Sequence, residues 1–199
     1  LFAFNLRTDA AHINLDTSTN SGRVGAYAEA QLRISKRFFL IPGVRTDYFT
    51  LADKASFDPR ISFGYQLSKY NSVRGALGVY HQYPKLEYYF RAFNNDLKPE
   101  EATHYILGYE YNQDGNYIFR VEGYYKDYSN LVLVNKRDFI YRSQGKGYVK
   151  GVDVFLKTKI KNKFTGWISY AFCDSKREQY ESVNLTPANY DITNAVSIV

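Results

Sequence analysis

The sequence has no methionine, a single cysteine and no long hydrophobic run among its 199 residues. Cys173 cannot form a disulfide within the chain, and no Cys/His spacing suits a zinc site. The longest apolar run, Phe38 to Val44, stops at Arg45, well short of the roughly 18 residues that a transmembrane helix needs. These shortages exclude a disulfide framework and a helical membrane protein, and neither a metal site nor a cofactor is predicted.

Methionine is missing even from position 1, and no export signal is visible in the opening residues Leu1 to Phe4. We therefore expect the 199 residues to be one part of a longer translation product, with any export signal outside it.

Charge is present but not concentrated. The formal net charge is +6, from 26 Lys and Arg against 20 Asp and Glu. The densest basic stretches, Lys157 to Lys163 and Lys136-Arg137, are too short for a nucleic-acid-binding arm. We predict no nucleic-acid partner.

What the chain does contain is aromatic residues and a period-two alternation of apolar and polar residues. Aromatics make up 18% of the sequence, with 20 tyrosines and 14 phenylalanines. From Val24 to Ile34, Ala28 and Leu32 share one face while Glu29 and Arg33 share the other, which is typical of a half-buried strand. Similar segments at residues 1–8, 38–48, 59–67, 73–82, 105–111, 119–125, 152–156, 164–174 and 191–199 predict an all-β, antiparallel fold of about ten strands.

Two segments also have helical features. Val24 to Ile34 is rich in alanine, and Lys98 to Ala102 places Pro99 and two acids where a first helical turn prefers them. Neither carries an apolar stripe at a spacing of 3.6 residues, so a strand is the preferred prediction for both.

The connections between the predicted strands alternate in length. Short turns fall at Ser35–Arg37, Lys69–Ser72, Asp114–Asn116 and Lys161–Lys163, and longer connections at residues 9–22, 50–57, 83–99, 128–146 and 175–190. Short periplasmic turns and long extracellular loops are typical of outer-membrane barrels. Long strands and the excess of tyrosine over leucine and isoleucine also favour a transmembrane β-barrel over a soluble sandwich, although the alternation fits both.

Several stretches resemble the β-barrel of a TonB-dependent outer-membrane receptor, of the kind common in the Bacteroidetes. They are Gly25–Glu29, Pro42–Tyr48, Pro59–Tyr65, Leu97–Glu100, Gly108–Tyr111 and Gly145–Leu156. The resemblance implies a place in the C-terminal part of such a barrel, with residues 1–199 forming a partial barrel domain that lacks the plug domain and the final strands.

The same resemblance implies the location, partners and function of the parent protein. It would lie in the outer membrane of a Gram-negative bacterium and contact outer-membrane lipid, the rest of its barrel and a plug. An inner-membrane TonB-type energy coupler would act through a region outside this chain. The implied function is uptake of a scarce nutrient, whether metal chelate, cobalamin, glycan or peptide.

Catalysis is not predicted. The chain has three histidines and no GxSxG, HExxH, Walker or GxGxxG motif. A pairing of His81 with a loop aspartate stays open, whereas His104 is interpreted as a polar residue of the barrel lumen.

Two sets of residues are candidates for ligand contact. The first lies on a predicted exterior loop, where flat rings beside charges suit stacking on a ligand: Tyr83, Tyr88, Tyr89, Phe90, Arg91 and Phe93. The second is a predicted lumen-facing row that would favour anionic cargo: Arg45, Arg60, Arg74 and Arg120. Structural alternatives exist for both, namely aromatic girdle and loop packing for the first, and a charge ladder with Asp47, Glu29 and Glu122 for the second.

Two other functions remain open from the residues. One is an outer-membrane barrel without transport, with a structural, adhesive, assembly or secretion role. The other is a soluble β-sandwich binding module.

Overall fold

The computed structural model describes residues 3–14, 20–92, 96–135, 140–160, 164–180, 182–188 and 192–199. Strands account for most of this part of the chain, and α1 (Leu86–Ala92) is the one helix within it. No helix in these ranges is long and apolar enough to cross a membrane. The strands are β1 (Ala3–Asn14), β2 (Asn20–Arg33), β3 (Phe38–Phe49), β4 (Lys54–Gln66), β5 (Asn71–Gln82), β6 (Glu100–Gln113), β7 (Tyr117–Asn135), β8 (Ile140–Ile160), β9 (Phe164–Gln179), β10 (Ser182–Pro187) and β11 (Asn194–Ile198).

All strands belong to one antiparallel sheet in which neighbours in sequence are neighbours in space. The order is β1 through β10, and β11 pairs with β9 beyond the stretch that β10 occupies. Such an up-and-down order is that of a barrel wall, since each strand needs only a short connection to the next. The predicted all-β, antiparallel barrel segment is confirmed.

Short turns join the strands at one rim of the sheet. They lie at residues 34–37, 67–70 and 114–116; the second begins two residues before the predicted Lys69–Ser72, since Asn71 and Ser72 already belong to β5. The predicted turn at Lys161–Lys163 is outside the described residues. The third turn has positive φ at Asp114 (51°) and Gly115 (75°), and the Asn116 amide donates to the Gln113 carbonyl at 2.9 Å. Two positive φ angles define the type I′ turn that an Asp-Gly pair favours.

The predicted long connections are shorter than expected, because cross-strand pairing continues into them. β7 extends to Asn135 and β8 begins at Ile140, and β10 lies within the predicted connection 175–190. A membrane crossing takes about 9–11 residues of tilted strand, so β7 and β8, with 19 and 21 residues, project beyond it.

The helix also differs from the alternatives that the sequence offered. Val24 to Arg33 is strand and β6 begins at Glu100, so the structure agrees with the preference for strand over helix in both segments. The observed helix, α1, lies instead within the predicted connection 83–99.

Cross-strand register divides the sheet into two faces, because directly opposed residues point to the same side. We call the side that carries Arg45, Arg60, Arg74 and Arg120 the polar face. The other side, the apolar face, leaves large hydrophobic side chains uncovered, with Phe57 63% and Leu107 59% exposed. A soluble sheet would bury such a face against another layer, whereas a transmembrane barrel turns it toward lipid.

A compact buried cluster forms at the rim opposite the short turns. We call it the cap cluster; it consists of Phe49, Ala52, Tyr89, Leu97, Val132 and Tyr141. Its members come from β3, α1, the projecting ends of β7 and β8, and the connections beside them. The cap cluster therefore holds the helical connection against the ends of the strands.

One glycine on the polar face makes room for an aromatic ring. Gly64 lies directly opposite Phe39, and a Cβ at Gly64 would lie 2.2 Å from the Phe39 ring. We expect Gly64→Ala to lower the free energy of unfolding of the receptor in detergent by about 1–3 kcal/mol, because the ring must move. Gly123→Ala is the matched control, since a Cβ there meets nothing within 4 Å. Equal loss of stability in both variants would contradict the ring contact as the cause.

Candidate functional site

The segment from Tyr83 to Leu97 crosses the rim between β5 and β6 and contains α1. A helix of seven residues is marginal alone, and packing must stabilise it. Leu86 and Tyr89, three residues apart, share one side of the helix, and both belong to or contact the cap cluster. After the helix, Leu97 is buried, and the Lys98 amide donates to Ser143 Oγ on β8 at 3.0 Å.

Tyr89 is the centre of the cap cluster. Its side chain is 2% exposed, its ring lies 5.8 Å from that of Phe49, and its hydroxyl is 3.5 Å from the Leu97 carbonyl oxygen. Burial raises the pKa of Tyr89 to about 12, so the phenol is neutral at physiological pH. In this conformation the ring supports the helix and has no free face for a ligand.

Tyr83 ties the helical segment to two strands. Its hydroxyl lies 3.0 Å from the Asp47 carbonyl oxygen and 2.9 Å from that of Lys54. The ring packs 5.1 Å from Phe49, and the Arg23 guanidinium lies 5.2 Å from its centre. Burial is the largest cause of the raised pKa of Tyr83. These contacts are those of a positioning residue.

The remaining aromatic candidates lie further along the segment. Tyr88 is half-buried, and its ring lies 5.1 Å from that of Tyr141 on β8. Phe90 and Arg91 belong to α1, but their side chains are not among those described, and Phe93 lies outside the described residues.

Below Tyr83, a buried aspartate joins two arginines on the polar face. Asp47 is 2% exposed; Arg45 donates to it from Nε at 2.6 Å and from Nη2 at 2.8 Å, and Arg23 donates from Nε at 3.2 Å. The opposite position is Gly25, where a Cβ would lie 2.2 Å from Asp47 Oδ1, so the absent side chain leaves space for the carboxylate. A carboxylate held by two guanidinium groups forms a rigid support for the connection above it.

The other three arginines of the predicted row lie on the same face but have different surroundings. Arg60 Nε is 3.8 Å from Glu29 and makes no hydrogen bond to any described residue. Arg120 donates to Glu110 at 2.6 Å and 2.9 Å, rather than pairing with the expected Glu122. Arg74 stands opposite Gly64 and Gly108. The row thus combines tight ion pairs with two loosely held cations.

His81 lies between two carboxylates, whereas the sequence left open only a pairing with one aspartate. Its Nδ1 lies 2.5 Å from Asp58 Oδ1 and its Nε2 lies 3.1 Å from Glu101 Oε2, which joins β4 to β6 across the end of β5. Both ring nitrogens thus contact carboxylates, so His81 links three neighbouring strands. Within the described ranges, no group of three or more His, Cys, Asp or Glu residues could hold a metal ion.

Sequence reasoning missed Arg23, Asp58 and Glu101 as members of these clusters. Each is an ordinary polar residue of an alternating strand, and its partner is distant along the chain. Only the register of paired strands would have located them.

Comparison with protein families gives a match over nearly the whole chain. The model of the family described as "TonB dependent receptor-like, beta-barrel" matches residues 3–196. The chain belongs to this family. No curated protein matches it.

Several solved structures of bacterial receptors and transporters share this fold at low sequence identity. The siderophore receptor PirA from Pseudomonas aeruginosa matches with a TM-score of 0.72 and 16% identity, over 92% of this chain and 40% of that one. The ferric enterobactin receptor PfeA from the same species gives 0.69 and 15%, over 92% and 37%. The FrpB iron transporter from Neisseria meningitidis gives 0.69 and 17%, over 80% and 27%.

The chain therefore spans 40% or less of the length of these receptors. The match covers the barrel of the TonB-dependent receptor family, as the sequence resemblance predicted. A Bacteroidetes source stays a prediction.

Proposed function

We propose that this chain forms part of the wall and of the ligand-capture rim of an outer-membrane receptor that imports a scarce nutrient into a Gram-negative bacterium. The family match supports the receptor class. The observation that carries the proposal is the cap cluster, which fixes an aromatic and charged segment at the rim of the wall.

The arrangement of the two rims supports an orientation of the barrel wall in the membrane. Outer-membrane barrels have short periplasmic turns and longer extracellular connections. The three described short turns lie at one rim, and α1 with the projecting ends of β7 and β8 lies at the other. On this basis α1 faces the exterior, where a receptor meets its ligand, and the polar face lines the lumen.

Within the capture segment, we assign different tasks to the predicted ligand residues. Tyr83 and Tyr89 position the helix through buried contacts. Ligand contact falls to the part of the segment that continues from Tyr88 through Phe90, Arg91 and Phe93. The rigid support that Asp47 forms with its two arginines lies below this short helix, and it lowers the entropy cost of ordering a capture loop on binding.

A metal chelate is the ligand class that we favour. The similar structures are described as a siderophore receptor, a ferric enterobactin receptor and an iron transporter. A ferric tris-catecholate is anionic, and the polar face offers the loosely held cations Arg60 and Arg74 along the proposed path. Cobalamin, glycan and peptide are the competing cargoes.

Import also needs parts that lie outside this chain. We propose that the remaining strands close the barrel, that a plug fills it, and that an inner-membrane TonB-type coupler acts on that plug. The 199 residues would supply wall, lumen lining and part of the capture surface.

The test measures ligand binding to the full-length receptor in detergent. The probes are a ferric tris-catecholate, a ferric hydroxamate and cobalamin, each followed by quenching of intrinsic fluorescence. We expect one ferric probe to bind, and Phe90→Ala with Arg91→Ala to weaken it on the order of tenfold or more, as for central contacts of an interface.

Tyr117→Ala is the control, because Tyr117 is an exposed ring that begins β7 at the short-turn rim. Binding that is unchanged in the double variant would refute the capture segment. Cells without the gene that take up all three probes normally would refute import and leave a barrel without transport.

A further inference from the structure

A second site lies at the opposite end of the polar face, far from the cap cluster. A cavity of about 210 Å³ opens beside the turn between β2 and β3. Four cationic side chains line it: Arg33, Lys36, Arg37 and Arg74. No carboxylate belongs to the lining.

These four cations differ from Arg23, Arg45 and Arg120 in forming no close ion pair within the described part of the chain, although Arg74 interacts electrostatically with Glu110 at longer range. Arg23, Arg45 and Arg120 each lie within 3.2 Å of a carboxylate oxygen. Within the described residues, no carboxylate oxygen lies within 4.0 Å of a side-chain nitrogen of Arg33, Lys36, Arg37 or Arg74. Glu110, on β6 two residues beyond the partner of Arg74, already accepts both hydrogen bonds of Arg120.

The two cavity arginines that belong to strands are held in a common row. Register aligns Arg33 with Phe39, Phe39 with Gly64, and Gly64 with Arg74, across β2 to β5. Three strand spacings separate the outer members by about 14 Å, so two long side chains can approach one ligand from opposite sides. Between them, the Phe39 ring rests on Gly64 and forms a rigid floor.

The turn contributes the other two cations from a fixed backbone. Ser35 Oγ accepts the amides of Arg37 at 3.2 Å and Phe38 at 3.1 Å, and the Ser35 amide donates to the Phe38 carbonyl at 3.1 Å. Lys36 and Arg37 are therefore presented from an ordered turn at the mouth of the cavity.

We propose that this cavity binds a tetrahedral oxyanion, specifically a phosphate group. Four like charges around a small cavity repel one another, and a multivalent anion relieves that repulsion. Arginine binds phosphate through two parallel hydrogen bonds, and the row places two arginines about the floor. The site uses none of the capture segment and shares only Arg74 with the proposed cargo path, so loss of phosphate binding in Lys36→Gln with Arg37→Gln tests it separately from import.

A phosphate group has two sources at a membrane rim. It can come from free inorganic phosphate or from the headgroup of an anionic phospholipid. The chemistry of recognition is the same for both, and competition distinguishes them.

The experiment uses the full-length receptor in neutral detergent at low ionic strength. Inorganic phosphate is titrated and followed by broadening of its 31P resonance. We expect saturable binding, and Arg33→Gln with Arg74→Gln to weaken it on the order of a hundredfold, about tenfold for each charged hydrogen-bond donor lost. Dioleoylphosphatidylglycerol is then added to the bound sample: displacement of phosphate identifies the headgroup source, and retention identifies free phosphate.

Arg142→Gln with Lys146→Gln is the control. Both residues are exposed on β8 near the opposite rim, and the two substitutions remove the same total charge as the cavity variants. Lys36→Gln with Arg37→Gln changes only the turn and provides a second test should the strand variant fail to fold. Binding that is equal in the wild type and the cavity variants would overturn the proposal, and so would the absence of binding to either probe.

Discussion

Replacing Tyr89 by alanine is expected to open the cap cluster while leaving the barrel wall folded. The variant removes a buried ring and leaves a cavity, a change that costs about 3–5 kcal/mol. The wall does not depend on this ring, because hydrogen bonds between neighbouring strands hold it. Hydrogen exchange in the full-length receptor should show faster exchange across Leu86–Leu97, with little change in β3 to β6.

The control for this variant is Tyr117→Ala, which removes an equal volume from a ring that is 46% exposed. We expect its exchange at the cap cluster to match that of the wild type. Protection of α1 that survives in Tyr89→Ala would show that contacts other than the buried ring hold the helix.

Replacing Asp47 by asparagine is expected to give the second large effect. The substitution keeps the shape but removes the charge that Arg23 and Arg45 share. Hydrogen bonds to charged groups contribute about 1.5–3 kcal/mol, and here two guanidinium groups lose their acceptor charge together. We expect the thermal unfolding midpoint of the receptor to fall, and exchange to rise in β2, β3 and the Tyr83 connection.

Glu29→Gln is the matched control, because it also removes an acid from beside an arginine of the polar face. Its oxygen lies 3.8 Å from Arg60 and its side chain is 47% exposed. An exposed pair of this kind contributes about 0–1 kcal/mol. Equal destabilisation by the two variants would mean that burial of Asp47 adds nothing to the ion pair.

The candidate site shows which of its features residue patterns can predict. The connection containing Tyr83 and Tyr89 was identifiable because aromatic and charged residues interrupt the alternation there. The tasks of those tyrosines were not identifiable, since the partners of Tyr89 include Phe49 and the carbonyl of Leu97, which other parts of the chain bring to it. Nor did the pattern predict α1, because packing rather than helix propensity stabilises so short a helix.

The positions of the charged residues in the phosphate cavity were likewise not predictable from residue patterns. Arg33 and Arg74 are 41 positions apart in the sequence, and each looks like an ordinary polar residue of an alternating strand. Register across β2 to β5 places them in one row. The proposed site therefore depends on strand pairing, which composition and spacing do not encode locally.

The sequence by itself determined the strand character, the two chemically distinct faces and the Asp114-Gly115 turn, because alternation and turn conformation depend on neighbouring residues. Tertiary structure decided which side chains meet. It extended β7 and β8 beyond the predicted ends, buried Tyr89 and joined Asp47 to two arginines. Those outcomes depend on register and on packing between segments far apart in the chain, where a shift of one residue would exchange the two faces of a strand.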